Sequence, residues 1–220
     1  MSFDWGYAWS LLPVLAPALL VTLQATLAGM LIALSVGLML ALARRASVPV
    51  VSWAAAAFVE FVRSTPLLVQ LYFLFYVLPD FGITLSPFAT GALALGLHYA
   101  AYCSEVYRAG IESVPGGQWE AANALNLSRG DTWLRVVLPQ AIARVVPALG
   151  NYLVAMFKDT PLLSAITVVE LLQTAKMAGS ETFRYVEPLT LVGMLFLALS
   201  LASAAGIRAV EARFGTALRV

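Results

Sequence analysis

Charge is what this chain most lacks. Only 11% of its 220 residues are charged and 61% are hydrophobic, against about 25% and about 45–50% in an ordinary soluble domain. A soluble globule of this size would have to expose much of that apolar excess, and large exposed apolar patches are rare, so a soluble enzyme or secreted domain is excluded. Intrinsic disorder is excluded as well, since it requires low hydrophobicity and high net charge. A formal net charge of +1 argues against nucleic-acid binding. A single cysteine, Cys103, leaves no intrachain disulfide framework and no multi-cysteine metal site. A single histidine, His98, leaves little for zinc or triad chemistry.

What the chain does have is long uncharged runs: Trp5–Ala43, Ser64–Pro79, Phe81–Ser104, Val145–Phe157 and Pro188–Ile207. They predict an all-α integral membrane protein with five transmembrane helices, since a span needs about 20 apolar residues. The first run would be roughly 58 Å long as one helix, too long for a single crossing, and Pro13 and Pro17 are expected to break it. Residues 1–17 then form a periplasmic or interfacial segment with an aromatic anchor of Trp5, Tyr7 and Trp9. Span one is Ala18–Ala43, and the others fall near Trp53–Leu78, Phe88–Glu112, Val146–Leu172 and Leu189–Ile207. The transmembrane domain covers 18–212 and leaves 213–220 as a cytoplasmic tail. With the N-terminus outside, the inner segments hold Arg44, Arg45, Arg108, Arg129, Arg135, Arg144, Arg208, Arg213 and Arg219, and the outer ones only Lys176 and Arg184. This asymmetry sets the orientation, N-terminus out and C-terminus in. The start of the chain carries Asp4 and no basic n-region, so it does not read as a cleavable signal.

The one substantial polar stretch runs from Glu112 to about Arg144, on the inner side. Pro115, Gly116 and Gly117 make a turn, and Gln118–Leu125 reads as a short amphipathic helix. Asn126 stands where a left-handed residue ends a helix. Ser128 caps a second helix, with Asp131 three residues on as in a capping box, and Pro139 ends or kinks that helix. The result is a knob projecting from the bilayer, or else a solvated loop.

Glu120-Ala121-Ala122, then Asn126, Val136 and Leu138-Pro139 resemble the EAA loop of the permease subunits of bacterial ABC importers, with Asn126 and Val136 in place of the usual Gly and Ile. The segments Glu60–Gln70, Ala101–Pro115 and Lys158–Ser164 resemble the polar amino acid subfamily of these permeases. Pro161, together with Ser180–Tyr185, looks most like the ectoine and hydroxyectoine importer branch. The resemblance implies two permease subunits forming a pathway, a cytoplasmic ATPase dimer, and an external solute-binding protein that is periplasmic or lipid-anchored. It implies a place in the bacterial inner membrane and a loop that couples to the ATPase through Glu120, Ala121, Ala122, Asn126, Leu138 and Pro139. The chain has no Gly-x-x-x-x-Gly-Lys-Ser/Thr phosphate loop, so ATP and Mg belong to the partner ATPase and no cofactor is expected here.

Ionisable residues within a span cost roughly 2.5–3.5 kcal/mol and face the bundle interior. Glu60 and Arg63 share one helix face, as an ion pair with each other, as a pair with a partner subunit, or as a gate. Pro66 offers a kink nearby. Lys158-Asp159-Thr160-Pro161 interrupts span four, and a broken helix at membrane depth lines a cavity; a structural salt bridge is the alternative. Glu105 and Glu170 are further candidates. His98, Tyr99 and Tyr102 read as packing on span three, Gly91 and Gly96 as sites of close helix approach, and Cys103 as an inert buried thiol. An ion-gradient-driven transporter or channel subunit is the competing reading, but five spans cannot hold two equal inverted halves. An intramembrane enzyme would need a catalytic constellation that one His and one Cys do not supply.

Overall fold

The structure, a computed structural model, describes residues 3–215, and among them every regular element is helical. The first helix, α1, runs unbroken from Trp5 to Ala43. The expected break at Pro13 and Pro17 does not occur, and the boundary at residue 17 falls inside the helix. The two prolines are four residues apart and both lie on the exposed face. The donor missing at Pro17 is therefore the one that the Pro13 carbonyl would have received, which confines the damage to one side. The opposite side holds the helix in line, because Ala8, Leu11 and Leu15 are buried against Leu171, Ala175, Leu191 and Val192.

Span two is not one helix. α2 (Pro49–Arg63) stops at Ser64, and the chain resumes as α3 (Leu67–Tyr72), a π turn (Phe73–Val77) and a 3-10 turn (Leu78–Phe81). The two parts meet at 106°. Pro66 supplies the break, having no N–H and disfavouring a helical residue before it. The Gln70 side-chain amide stabilises the bend by donating to the carbonyls of Val62 (2.8 Å) and Thr65 (3.2 Å), groups that a helix end leaves open.

α4 (Pro87–Glu112) matches the expected span three, with Ser86 as its N-cap. It lies along α1 in the same direction, Gly29 meeting Ala92 and Leu95 while Gly37 meets Ala100 and Cys103. The seam is tight where expected: a Cβ on Gly96 would stand 2.5 Å from the Ile32 side chain.

The polar stretch folds as α5 (Gly116–Ala124), Asn126 in the left-handed region at φ 53°, and α6 (Arg129–Asp131). Ser128 Oγ accepts from the Asp131 N–H (3.1 Å) and donates to the Asp131 carboxylate (2.6 Å), so the capping pair forms. Pro139 does not end the helix, which continues through a π turn (Thr132–Val137) into α7 (Leu138–Asp159). Both π turns finish two residues before a proline, Pro79 and Pro139. The wider turn makes room for the ring, which would otherwise strike the preceding carbonyl.

At Asp159 α7 gives way to a 3-10 turn (Thr160–Ile166), so span four ends at Ile166 rather than Leu172. α8 (Leu171–Thr182) follows, capped by the buried Glu170 carboxylate, which accepts from the N–H groups of Leu172 (2.9 Å) and Gln173 (2.7 Å). Glu170 is thus a helix cap. α9 (Val186–Gly215) is longer than the expected Leu189–Ile207, the boundary at 212 falls inside it, and residues 216–220 of the expected tail lie outside the described residues.

α7 runs antiparallel to α4, with Gly110 against Val145 and Tyr99 bonded to Asp159, and α9 antiparallel to α7, with Gly150 against Ile207. Three stretches (Trp5–Ala43, Arg129–Ile166 and Val186–Ala212) are long and apolar enough to cross a membrane, and the bent α2–α3 pair makes a fourth. α4, 26 residues and laid along α1, is long enough but less apolar, so among the described residues three or four stretches qualify rather than the expected five. The ends of α1 and α4 and the start of α7 therefore gather with α5 and α6 at one end of the bundle. Asp4, α8 and the start of α9 lie at the other.

Candidate functional site

The intramembrane charges sort into groups that differ from their sequence neighbours. At the α5 end, Glu105 on α4 receives three guanidinium groups: Arg44 from the end of α1 (2.6 Å), Arg63 from the end of α2 (3.4 Å) and Arg108 from its own helix (2.8 Å). Arg108 also binds Glu112 (2.7 Å). Glu60 and Arg63 do not pair. Arg63 reaches across to Glu105 and lies over the Tyr102 ring (5.6 Å), while exposed Glu60 accepts a bond from Ser64 (3.4 Å). The tertiary partner wins because Glu105 sits among cations from three elements and is only 21% exposed, so solvent screens it less than an exposed pair. Three cations against two carboxylates leave this cluster one positive charge in excess.

A second polar group lies deeper. His98 Nδ1 is 3.1 Å from Gln70 Oε1, and the Tyr99 hydroxyl donates to Asp159 (2.7 Å). The rings of His98, Tyr99, Tyr102 and Tyr152 pack edge-on or tilted at 5.2–6.2 Å. The cage spans α3, α4 and α7, and Arg63 over Tyr102 joins it to the Glu105 cluster. Lys158 and Asp159 part company, as successive residues on a helix must. Asp159 enters the cage, and exposed Lys158 lines a groove with Pro161, Phe196, Leu197 and Ser200. No salt bridge joins them. Thr160 is buried and donates to the Phe157 carbonyl (2.7 Å), finishing the helix.

The third group is the knob. Ala122 is 2% exposed and forms its keel, while Glu120, Ala121 and Asn126 are exposed and Leu125 is 74% exposed. Its base is a small separate core of Val114, Val137 and Ala141, with Ile111, Trp119 and Trp133 against it. Trp119 and Trp133 meet edge to face at 5.4 Å, and the Arg144 guanidinium donates to the Ser113 carbonyl. Leu138 is half-buried and Pro139 exposed where the knob joins α7.

From the sequence Arg44 and Arg108 stand out only as basic residues of the inner side, although the three-residue spacing of Glu105 and Arg108 signals a pair. Gln70 and Tyr152 carried no local signal, because their roles arise where helices cross.

At the opposite end, Arg184 binds Asp4 (3.5 Å) and Glu187 and lies over the Tyr7 ring, and Tyr7 bonds Thr182 (2.8 Å). The Tyr7 N–H, followed by the Arg184 charge, holds the Asp4 carboxyl below its ordinary 3.8. A depressed carboxyl stabilises the fold above its unfolded pKa, and that stability is lost as pH falls through the lowered one. The thermal midpoint of the purified chain is thus expected to fall as pH drops below about 4, and Asp4→Asn to flatten that part of the profile. An unaltered profile in Asp4→Asn would show that the Asp4 contacts with Tyr7 and Arg184 do not stabilise the fold.

Residues 29–216 match the family model for the binding-protein-dependent transport system inner membrane component. The chain belongs to this family. It is 50% identical over 205 residues to the "probable amino-acid ABC transporter permease protein y4tG" of Sinorhizobium fredii, covering 93% of this chain and 89% of that one. It is 32% identical over 215 residues to the glutamine transport system permease protein GlnP of Escherichia coli, covering 97% and 98%. A solved structure described as an amino acid ABC transporter with histidines superposes with a TM-score of 0.92 at 32% identity, covering 97% of this chain and all of that one. The methionine transporter MetNI superposes at 0.66 with 20% identity, covering 94% and 99%, and shares the fold. The fold is that of a type I ABC importer permease. Permeases of this family are membrane-embedded transport components that work with an ATPase and a solute-binding protein.

Proposed function

We propose that this permease forms, with a second permease subunit, the inner-membrane passage of an ATP-driven importer for a small zwitterionic solute. The observation that carries the reading is the knob. α5 and its C-cap expose Glu120, Ala121 and Leu125, while Ala122 on the same helix is buried and Trp119 anchors it on the small core of Val114, Val137 and Ala141. A small alanine beside an exposed leucine suits a helix that enters a cleft on a separate ATPase, where ATP and Mg would bind. Asn126 turns the chain back, and Leu138 and Pro139 join the knob rigidly to α7. The excess of arginine at the α5 end supports an N-terminus outside and a cytoplasmic C-terminus.

The solute class rests on two supports. The named relatives are amino-acid permeases, and the cage with the Glu105 cluster offers an acid, cations and aromatic faces to a molecule carrying both charges. Glu60, Arg63, Glu105, Lys158, Asp159 and Thr160 remain the pathway and gate candidates, with Thr160 setting the helix end. Within that class, Pro161 and the Ser180–Tyr185 segment favour ectoine or hydroxyectoine over a polar amino acid.

Uptake of labelled ectoine and of labelled polar amino acids in cells with and without this chain tests both levels. Loss of ectoine uptake alone on deletion supports the finer reading, and loss of amino-acid uptake alone overturns it. Ala121→Leu keeps helix propensity but adds bulk, and is expected to abolish uptake with the chain still in the membrane. Uptake driven by an ion gradient with the ATPase absent would overturn the importer reading.

A further inference from the structure

Arg44 and Arg45 are neighbours at the end of α1, yet their side chains go to different places. Arg44 binds Glu105 at 2.6 Å, while the exposed Arg45 places its guanidinium 5.9 Å from the centre of the Trp133 ring. Trp133 stands edge to face with Trp119 at 5.4 Å, and Trp119 is the residue of α5 immediately before Glu120. The Arg44 carbonyl accepts from Ser52 Oγ (2.8 Å), tying the same turn to the start of α2. Glu105 in turn holds Arg63, the last residue of α2 before the 106° bend. One unbroken set of contacts thus runs from the knob to the bend.

We propose that Arg45 and Trp133 are positioning residues that transmit displacement of α5, through Trp119, to the Arg44–Glu105–Arg63 cluster. The proposal rests on the reading of α5 as the ATPase-docking helix. The indoles suit the task because each is a rigid plate with few torsions, half-buried on the core of Val114, Val137 and Ala141. A shift of α5 therefore moves Trp133 rather than being absorbed by a flexible side chain. Arg45 suits it because its exposed cation–π contact can slide or break without opening a cavity. Arg44, one residue away on the same turn, must then follow. A plain packing role for Trp133 explains its burial but gives no part to Arg45, which lies outside the core.

The test uses the complete transporter in proteoliposomes, with ATP hydrolysis and solute uptake read on one preparation. Arg45→Gln and Trp133→Leu are expected to leave ATP hydrolysis in place and to lower uptake per ATP by at least about fivefold, the lower end of ordinary coupling between sites. The double variant should be no worse than the worse single one, and Arg45→Lys and Trp133→Phe should recover part of the loss. Uptake per ATP unchanged in Arg45→Gln, or losses that multiply in the double variant, would overturn the proposal. Arg45→Gln keeps the test decisive even if Trp133→Leu fails to assemble. A crosslinker attached through Asn123→Cys, exposed on the same helix and outside the Ala121 contact, separates the two readings. With capture of the ATPase, a negative result removes only the relay, and without capture both fall.

Discussion

Glu105→Gln is expected to cripple transport and to lower the thermal midpoint of the assembled permease, more than any other single polar change. The carboxylate is the common acceptor for Arg44, Arg63 and Arg108, and glutamine leaves three guanidinium groups facing a neutral amide. Removing one partner of a fully buried ion pair costs about 3–5 kcal/mol, and an exposed pair contributes about 0–1 kcal/mol. Glu105 at 21% exposure lies between these limits, nearer the buried one because the uncompensated arginines also repel one another. Added salt should recover part of the lost stability by screening that repulsion. Glu60→Gln is the internal control, because Glu60 is exposed and among the described residues its one side-chain bond is a 3.4 Å contact from Ser64. Equal effects of the two substitutions on the melting curve would refute the cluster as the organising contact of this end.

The second large effect is steric. Gly96→Val should prevent α1 and α4 from closing. Even the first carbon of a side chain there would stand 2.5 Å from Ile32 Cβ and Cγ2 and 3.1 Å from the Gly29 carbonyl oxygen. The obstruction is a branched carbon next to the backbone, so a rotamer change does not relieve it and the helices must separate. Overpacking costs about 1–3 kcal/mol and occasionally more. Replacing a helical glycine by alanine gains at most about 1 kcal/mol of propensity, so Gly96→Ala should also be net destabilising. Gly193→Ala gives the contrast, since nothing lies within 4 Å of a Cβ there, and it should be neutral or slightly stabilising. Thermal midpoints of the three purified variants decide the matter. Gly96→Ala behaving like Gly193→Ala would show that the seam can open freely.

Local chemistry was legible in the sequence wherever a few neighbouring residues settle it. The Ser128–Asp131 cap, the left-handed turn at Asn126, the extent of α4 and the tight glycine at position 96 follow from spacing and residue type. The continuity of α1 was not legible, because Pro13 and Pro17 break hydrogen bonds on one face while residues from 171 to 192 secure the other. The bend at Pro66 was legible in place but not in size, since the Gln70 side chain holds it open. The charges misled most. Helical spacing put Glu60 and Arg63 on one face, and Lys158 and Asp159 read together as part of one interruption lining a cavity or forming a salt bridge, but Arg63 found Glu105, and the 158–159 pair points two ways. Proximity along a helix does not choose a partner when a better one arrives from another helix. The relatives reach the same family by overall similarity, without revealing those pairings.

The parallel seam of α1 and α4 also has a consequence for how the protein is made. About 40 residues of chain, including the whole of α2 and α3, emerge after α1 ends and before α4 begins. At about 5–20 residues per second, α1 waits several seconds with its glycine groove unfilled. During that time α1, the longest of the described helices, is open to any other helix in the insertion machinery. A substitution at Gly29, Gly37 or Gly96 therefore acts twice, first on whether the right neighbour is captured at birth and only later on the stability of the finished bundle.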